Sequence, residues 1–280
     1  MEVLRTPQEA REFSRQHRRA GRTVSLVPTM GSLHRGHAAL IATAAACTDV
    51  VIVSVYVNPR QFNVASDFEA YPRNLEADRS LAVAAGAHTV YAPLDPVMYP
   101  DGFDTTVSLR RIAAPLEGAG RPGHFDGVAT VVTKLLNACE PDVAVFGEKD
   151  FQQLRVIMQM ADSSQGRWGA LRIVPGPTVR ERDGLAMSSR NRYLSSERRD
   201  TALGVYRALQ MAMSAQRPAT AESLMRETLE QHGFEIDYAV VRDARTLMPV
   251  SGLETPCRAL IAARLPEVRL IDNMAMPVWR

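Results

Sequence analysis

The spacing of apolar and polar positions changes along the chain, and each spacing predicts an element. Short, β-branched apolar runs predict five strands in the first part of the chain, at 23–27, 49–57, 88–91, 143–146 and 170–174. Helical spacing predicts the helices between them, at 36–46, 75–85, 127–138 and 151–160. The almost wholly apolar run 49–57 is typical of a strand covered on both faces. This alternation predicts a Rossmann-like, doubly wound α/β domain with a parallel sheet.

The pattern changes after Pro175-Gly176-Pro177. Ser195 provides an N-cap for a long predicted helix that ends near Ser214, and a second helix is predicted at 220–232. Three short strands follow without the long crossovers that parallel pairing requires, at 236–241, 258–263 and 268–271. We therefore expect two domains, with a larger Rossmann-like domain at 1–178 and a smaller α+β lid domain at 179–280.

Composition narrows the class of protein. A length of 280 residues suits two unequal domains, and 33 basic against 31 acidic residues is too balanced for a dedicated nucleic-acid binder. The three cysteines are far apart and form no CxxC pair, which fits a reducing, cytoplasmic environment. We expect a globular protein with a substantial core and without a nucleic-acid partner.

The first 21 residues are rich in arginine but have no apolar segment of the kind found in signal peptides. An organellar transit peptide would also be arginine-rich, but Glu2, Glu9 and Glu12 argue against one. No stretch of the sequence approaches the roughly 20 apolar residues that cross a bilayer. We expect a surface helix here, and no membrane partner.

Two histidines stand at the start of a predicted helix, in His34-Arg35-Gly36-His37, directly after a strand. A pair of surface histidines in a turn would give the same pattern, so the motif alone leaves both interpretations open. The N–H groups and dipole of a helix start favour phosphate oxygens, and two imidazoles add donors for charge that develops on a phosphoryl group. Gly31 and Gly36 allow a tight turn and a close approach to a nucleotide.

The charged segment Gly147-Glu148-Lys149-Asp150 follows another strand and precedes a helix. A solvated loop would have the same composition. In a doubly wound sheet, however, a loop at this position faces the crevice where ligands bind. We expect Lys149 to meet phosphates and Asp150 to accept from a ribose or ammonium group. One of Gln152 and Gln153 is expected to bind a small polar substrate.

Two further segments combine polar groups with predicted loops. Met187-Ser188-Ser189-Arg190 lies between the expected domains, where hydroxyls and a guanidinium suit a triphosphate under a closing lid. A serine-rich hinge is the alternative.

Asn58 and Gln61 follow the most apolar strand, and their amides suit a ligand with hydroxyls and a carboxylate because they both donate and accept. A turn with structural amides would look the same.

These segments, in this order, resemble the pantothenate synthetase (pantoate–β-alanine ligase) family. The matching segments are PTMGSLHRGH, VNPRQF, AYPR, LEGAGRPGHFDGVATVV, GEKDFQQL and DGLAMSSRNRYL. The resemblance runs from about Val24 to Leu194, and the C-terminal third matches in length and pattern. HxGH with a serine-rich loop indicates only the wider HxGH nucleotidyltransferase superfamily, whereas GEKD and VNPxQF single out the ligase.

The resemblance implies ATP-dependent ligation of (R)-pantoate and β-alanine to pantothenate through a pantoyl-adenylate, with release of AMP and pyrophosphate. Residues 1–178 would bind ATP and pantoate, and residues 179–280 would form the lid. It also implies Mg²⁺, small-molecule substrates and a cytoplasmic homodimer. No residue suggests a covalent nucleophile, and the adenylate route needs none.

The resemblance also assigns roles to individual residues. Catalysis would rest on His34, His37 (the proton donor), Lys149 and Arg190. ATP would contact Met30, Gly31, Ser32, Leu33, His34, Arg35, Gly36, His37, Gly147, Glu148, Lys149, Asp150, Val179, Met187, Ser188, Ser189 and Arg190. Pantoate would contact Asn58, Gln61 and Gln153, and β-alanine would contact Gln61. Asp78 would help with Mg²⁺, although Ala77 stands where some relatives carry a further acid. Site-lining or lid positions are matched by Tyr71, Glu117 and Arg121.

Two rival functions share part of these features. An adenylyltransferase for a phosphate-bearing acceptor would share HxGH and the serine-rich loop, but GEKD followed by two glutamines speaks against it. A nucleotide-binding regulator without turnover is disfavoured because many polar groups stand at predicted strand ends.

Overall fold

A computed structural model of the protein describes residues 1–164 and 166–279. The chain divides into two units, and it passes from the first to the second between Pro177 and Thr178. The segment 149–155 also belongs to the second unit, although it lies within the sequence of the first. The division therefore differs from the single boundary expected after residue 178, because one short segment is grouped with the later part of the chain.

Six parallel strands form the sheet of the first unit. They are β1 (Val3–Leu4), β2 (Val24–Thr29), β3 (Val50–Val55), β4 (Thr89–Tyr91), β5 (Val143–Gly147) and β6 (Arg172–Gly176). Their order across the sheet is β1-β4-β3-β2-β5-β6. The helices that accompany them are α1 (Pro7–Arg19), α2 (Arg35–Cys47), α3 (Ala65–Glu69), α4 (Leu75–Ala84), α5 (Asp95–Met98), α6 (Glu117–Gly120), α7 (His124–Cys139) and α8 (Phe151–Ser163). The predicted parallel α/β architecture is confirmed.

The order of the strands reverses at the centre of the sheet. β3 and β4 lie on one side of β2, whereas β5 and β6 lie on the other, so that β2 and β5 are neighbours. In doubly wound sheets, ligands bind beyond the carboxyl ends of the strands at such a switch point. The loops that leave β2 and β5 are the ones that carry HRGH and GEKD.

The N-terminal segment holds a helix, as predicted, and also a strand that the sequence did not indicate. Thr6 caps α1, its hydroxyl accepting from the Glu9 N–H. Ahead of it, β1 pairs with β4 at the edge of the sheet, Val3 opposite Val90. α1 is not wholly a surface helix, because Ser14 is buried. Two residues are too few to show a period, which is why the pattern missed β1.

The second unit contains an antiparallel sheet of β7 (Glu235–Asp243), β8 (Cys257–Leu265) and β9 (Val268–Ala275). Its helices are α9 (Ser196–Ala202), α10 (Gly204–Ala212) and α11 (Pro218–Gln231). The long helix predicted from Ser195 to about Ser214 is divided at Leu203, so this expectation was only partly right. A Cβ on Gly204 would lie 2.7 Å from the His232 ring, so glycine permits the close packing there. In the described part of the chain, no helix is long and apolar enough to span a membrane.

Candidate active site

The loop after β2 is held in shape by a buried carboxylate. Asp78, on α4, is only 3% exposed, and its Oδ2 and Oδ1 accept from the backbone N–H groups of Ser32 (3.1 Å) and Leu33 (2.7 Å). Gly31 has φ +80°, and a Cβ there would lie 2.7 Å from Asp78 Oδ2. Only glycine combines this backbone conformation with such a close approach. The loop expected to bind ATP is therefore a fixed turn.

His34 and His37 form a reciprocal cap at the start of α2. His34 Nδ1 accepts from the Gly36 N–H (3.1 Å), and His37 Nδ1 accepts from the His34 N–H (3.3 Å). The ring centroids are 4.1 Å apart. Because Nδ1 of each ring acts as an acceptor, the neutral imidazole carries its proton on Nε2. Two Nε2–H donors thus accompany the N–H groups of a helix start, a combination that suits phosphate oxygens.

The amides of Asn58 and Gln61 contact each other and the loop that contains Met30. Asn58 is 1% exposed, and its Nδ2 donates to Gln61 Oε1 and to the Gly127 carbonyl, both at 3.1 Å. Its Oδ1 accepts from the Tyr99 hydroxyl (2.8 Å). Gln61 Nε2 in turn donates to Met30 Sδ (2.9 Å). The structure therefore brings residues predicted to bind ATP and pantoate together in the first unit.

The backbone carbonyl of Gln61 is hydrogen-bonded, as its side chain is. Its carbonyl accepts from Arg121 Nη2 (3.1 Å) and lies 2.8 Å from His124 Nδ1. Since a carbonyl oxygen only accepts, His124 carries a proton on Nδ1, and Nε2 accepts from Arg121 Nη1 (3.2 Å). Glu117 Oε2 lies 3.7 Å from Arg121 Nη1. Glu117 and Arg121 were expected to line the site, and here they support the turn that holds Gln61.

In the second unit, Lys149 is fixed through its backbone. Its carbonyl accepts from Asn273 Nδ2 (2.8 Å), and Asn273 Oδ1 accepts from Arg258 Nε (2.7 Å). The Arg258 guanidinium lies 4.2 Å from the centroid of the Phe151 ring. The Lys149 side chain is 20% exposed, with Nζ 3.7 Å from Asp150 Oδ1. Strands β8 and β9 therefore position the lysine of the GEKD segment.

A short hairpin of the second unit carries the serine-rich loop. The Met187 N–H donates to the Val179 carbonyl (2.9 Å). Arg180 makes a bidentate ion pair with the buried carboxylate of Asp272, at 2.6 and 3.1 Å, and so ties the hairpin to β9. Ser188 caps the following 3₁₀ turn, its Oγ accepting from the Arg190 N–H (3.3 Å). These bonds hold the hairpin in shape within the second unit.

Lys149, Ser188 and Arg190 line one pocket of the second unit. The rest of its lining consists of Leu185, Ala186, Asn191, Val205, Arg269, Leu270, Ile271 and Asp272. Three predicted ATP contacts from two distant segments are thus brought together. Arg269 and Asp272 were not predicted, because a single charged residue in a strand gives no local signal.

The predicted residues fall into two groups, one on each unit. The first unit holds Met30–His37, Asn58, Gln61, Asp78, Gly147 and Glu148. The second holds Lys149, Asp150, Gln153, Val179 and Met187–Arg190. In the first turns of α8, Gln152 is buried and Gln153 is only half-buried, so Gln153 is the more accessible of the two. Within residues 1–164 and 166–279, no three His, Cys, Asp or Glu side chains gather as a metal site.

The chain is similar to known proteins over almost its full length. A family model described as pantoate-beta-alanine ligase matches residues 2–275. The pantothenate synthetase of Rubrobacter xylanophilus is 48% identical over 289 residues, which cover 98% of each chain. That of Myxococcus xanthus is 46% identical over 282 residues, covering 98% of this chain and 96% of the relative.

Similar solved structures carry the same names as the family model and these relatives. The crystal structure of pantothenate synthetase from Thermus thermophilus gives a TM-score of 0.91 at 42% identity, covering 98% of this chain and 99% of that one. The pantoate-beta-alanine ligase of Francisella tularensis, whose crystal structure contains beta-gamma ATP and β-alanine, gives 0.81 at 32% identity, covering 98% and 97%. The chain therefore belongs to the pantoate–β-alanine ligase family, and the function predicted from its motifs, ATP-dependent condensation of pantoate with β-alanine, is confirmed.

Proposed function

We propose that this ligase works in two steps, through a pantoyl-adenylate. A carboxylate is a poor acyl donor, so a pantoate carboxylate oxygen first attacks the α-phosphorus of ATP. The bond from that phosphorus to the pyrophosphate oxygen breaks, which leaves a mixed anhydride. The β-alanine amine then attacks the acyl carbon and displaces AMP. The products are pantothenate, AMP and pyrophosphate.

The observation that carries this proposal is the pair of Nε2–H donors at the start of α2. The first step builds negative charge on the departing pyrophosphate, and donors preorganised for that charge lower the barrier. His34 and His37 supply such donors because their Nδ1 atoms are occupied by backbone N–H groups. We assign the proton-donor role to His37, and ATP contacts to the loop from Met30 to His37.

In the second unit, the pocket lined by Lys149, Ser188 and Arg190 suits anionic groups. A lysine ammonium and an arginine guanidinium are the usual phosphate ligands of proteins, and hydroxyls add donors. We propose that Lys149 and Arg190 assist catalysis and that Gly147–Asp150, Val179 and Met187–Arg190 contact ATP. We propose that residues 1–178 bind ATP and pantoate. Residues 179–280 act as a lid that keeps water from the anhydride.

Pantoate is proposed to contact Gln61 and Gln153, and β-alanine to contact Gln61. Asn58 was also predicted to contact pantoate, and we propose that it serves the pantoate site by holding Gln61, because it is 1% exposed and its amide is already hydrogen-bonded at both ends. Neutral amides bind hydroxyls and carboxylates without adding charge repulsion. Gln153 is half-buried and Gln152 is buried, so Gln153 is the glutamine that a substrate can reach.

Mg²⁺ is proposed to accompany ATP, with Asp78 as its protein contact. Mg²⁺ is usually held by one or two carboxylates together with phosphate oxygens and water. Each oxygen of Asp78 accepts one N–H and retains a further lone pair, so the carboxylate fits a single contact to the metal while it holds the loop. When bound, the ion would neutralise phosphate charge.

We also propose a cytoplasmic homodimer that acts on small molecules, without a nucleic-acid or membrane partner. Light scattering on the purified protein is then expected to give about twice the 30.8 kDa of one chain. A mass equal to one chain at micromolar concentration would contradict the dimer.

Product analysis tests the proposed route. With ATP, Mg²⁺, pantoate and β-alanine, ³¹P NMR should follow the formation of AMP and pyrophosphate in equal amounts with pantothenate. Omission of pantoate should abolish both. Formation of ADP and inorganic phosphate would instead indicate transfer of the γ-phosphoryl group and overturn the proposal.

A further inference from the structure

A chain of hydrogen bonds leads from Tyr99 to the amide of Gln61. The Tyr99 hydroxyl donates to Asn58 Oδ1 (2.8 Å), and Asn58 Nδ2 donates to Gln61 Oε1 (3.1 Å). Gln61 Nε2 then faces Met30 Sδ, at 2.9 Å. Each group in this series of hydrogen bonds determines whether the oxygen or the nitrogen of the next amide points toward it.

The direction of the chain is fixed at both amide atoms of Asn58. Its Nδ2 also meets the Gly127 carbonyl (3.1 Å), which can only accept, so this end of the amide must be the NH₂ group. Burial raises the pKa of the Tyr99 hydroxyl to about 12, which keeps it protonated as a donor at neutral pH. With Asn58 set in this way, Gln61 Oε1 is held as the acceptor of Asn58 Nδ2, and Gln61 Nε2 is the end of the amide directed away from Asn58, toward Met30.

Tyr99 itself is held in place by aromatic and cationic neighbours. Its ring packs edge-on against Phe103, with centroids 5.2 Å apart, and lies 6.3 Å from the ring of Tyr56. The Arg60 guanidinium stands 5.4 Å from its centroid, and Lys134 Nζ stands 5.7 Å from it. These contacts leave the hydroxyl little freedom to turn away from Asn58.

We propose that Tyr99 is a positioning residue for pantoate, which acts through Asn58 to keep Gln61 Nε2 directed at the acid. This inference rests on the proposed contact between Gln61 and pantoate. The ligand atom opposite Gln61 Nε2 must then be an acceptor, a carboxylate or hydroxyl oxygen. A substrate analogue with only a donor at that position is rejected, because two N–H groups would face each other.

Tyr99→Phe tests the proposal because it removes the hydroxyl and keeps the ring. We expect the KM for pantoate to rise about three- to tenfold, the range that corresponds to loss of one buried hydrogen bond, while the KM for ATP stays within about twofold. Tyr91→Phe is the matched control. Its hydroxyl is buried and has no hydrogen-bond partner within residues 1–164 and 166–279, so both KM values should remain unchanged.

A double-mutant cycle separates this proposal from the one on which it rests. Gln61→Ala should raise the KM for pantoate, and adding Tyr99→Phe to it should cause no further rise. If Gln61→Ala leaves that KM unchanged, Gln61 does not hold pantoate and both proposals fail. If Gln61→Ala raises the KM for pantoate but Tyr99→Phe does not, only the role of Tyr99 is overturned. The same holds if Tyr99→Phe adds its full effect on that KM in the double variant.

Asn58→Asp provides an independent variant of almost the same size. The carboxylate still accepts from Tyr99 but cannot donate to Gln61, so the glutamine amide is free to turn its oxygen toward the ligand. The KM for pantoate should rise at least about tenfold. An unchanged KM, with a circular dichroism spectrum like that of the unmodified enzyme, would contradict the proposed orientation of Gln61.

Discussion

His34 and His37 are proposed to combine two tasks within single side chains. Through Nδ1 each ring completes the hydrogen bonding at the start of α2, and through Nε2 each can offer a proton to a ligand. The cap determines the tautomer, and the tautomer determines which nitrogen is the donor. The two tasks can be separated because an asparagine side chain performs only the first.

His37→Ala and His37→Asn are expected to lose turnover to a similar extent, about 10²–10³-fold, because both lack the Nε2–H donor. They should differ in stability. The asparagine oxygen can still accept from the His34 N–H, whereas alanine loses the cap, which is worth about 0.5–2 kcal/mol. Steady-state rates and urea titrations of both variants measure the two effects. A near-native kcat for His37→Asn would remove His37 from catalysis.

Gln153→Ala should raise the KM for pantoate far more than the KM for ATP. Loss of the amide leaves an oxygen of the acid without a partner, at a cost of about 1–3 kcal/mol. Gln159→Ala is the control, because Gln159 is exposed on the same helix and its side chain bonds only to Ser163 among the described residues. Equal changes in the two KM values for Gln153→Ala would show that the acid pocket lies elsewhere.

Among the elements, α7 shapes the turn that carries Gln61. Gly127 packs against the backbone of this turn so closely that an added Cβ would overlap the Arg60 carbonyl and lie 2.9 Å from the Gln61 N. Both contacts are with backbone atoms, which cannot rotate away as a flexible side chain can. The geometry of the Asn58–Gln61 turn therefore depends on a glycine in a different element.

Gly127→Ala is expected to lower the free energy of unfolding by about 1–3 kcal/mol, as overpacking does, and to raise the KM for pantoate. Gly120→Ala is the comparison, because its added Cβ would meet no atom within 4 Å. Denaturant unfolding together with both KM values gives the result. If the two alanine variants were equally stable and bound pantoate equally well, the close contact at Gly127 would be unimportant.

Most elements could be predicted from the sequence because each has enough residues to show its own period. The strand that became β3 was predicted as a covered strand from its apolar run, and Val50–Val53 are fully buried. β1 could not be found because it has two residues. The division between α9 and α10 was missed because Leu203 keeps a helical backbone (φ −63°, ψ −16°), so the apolar spacing continues through it.

The candidate site was predictable where its residues are neighbours in sequence, in a loop between a strand and a helix. Its supporting contacts were not. Tyr99 bonds to a residue 41 positions away, and Asn273 bonds to the Lys149 carbonyl across 124 positions. Such pairings depend on how strands and helices pack, and no spacing within a segment indicates them.

For the molecule as a whole, the strong motifs are all proposed to bind the nucleotide or its phosphates. HRGH lies on the first unit, MSSR lies on the second, and the GEKD segment runs from one to the other. No side chain was singled out as a covalent carrier of the acyl group. We therefore assign activation of the acid to ATP alone, as a pantoyl-adenylate formed before β-alanine is needed.

Isotope exchange is the sharpest test of the adenylate step. The enzyme is incubated with ATP, Mg²⁺ and labelled pyrophosphate, with and without pantoate, and β-alanine is omitted throughout. Because the first step is reversible, label should enter ATP only when pantoate is present. His37→Ala should slow this exchange about 10²–10³-fold. If pantoate does not accelerate the exchange, while pantothenate still forms once β-alanine is added, the adenylate step is wrong.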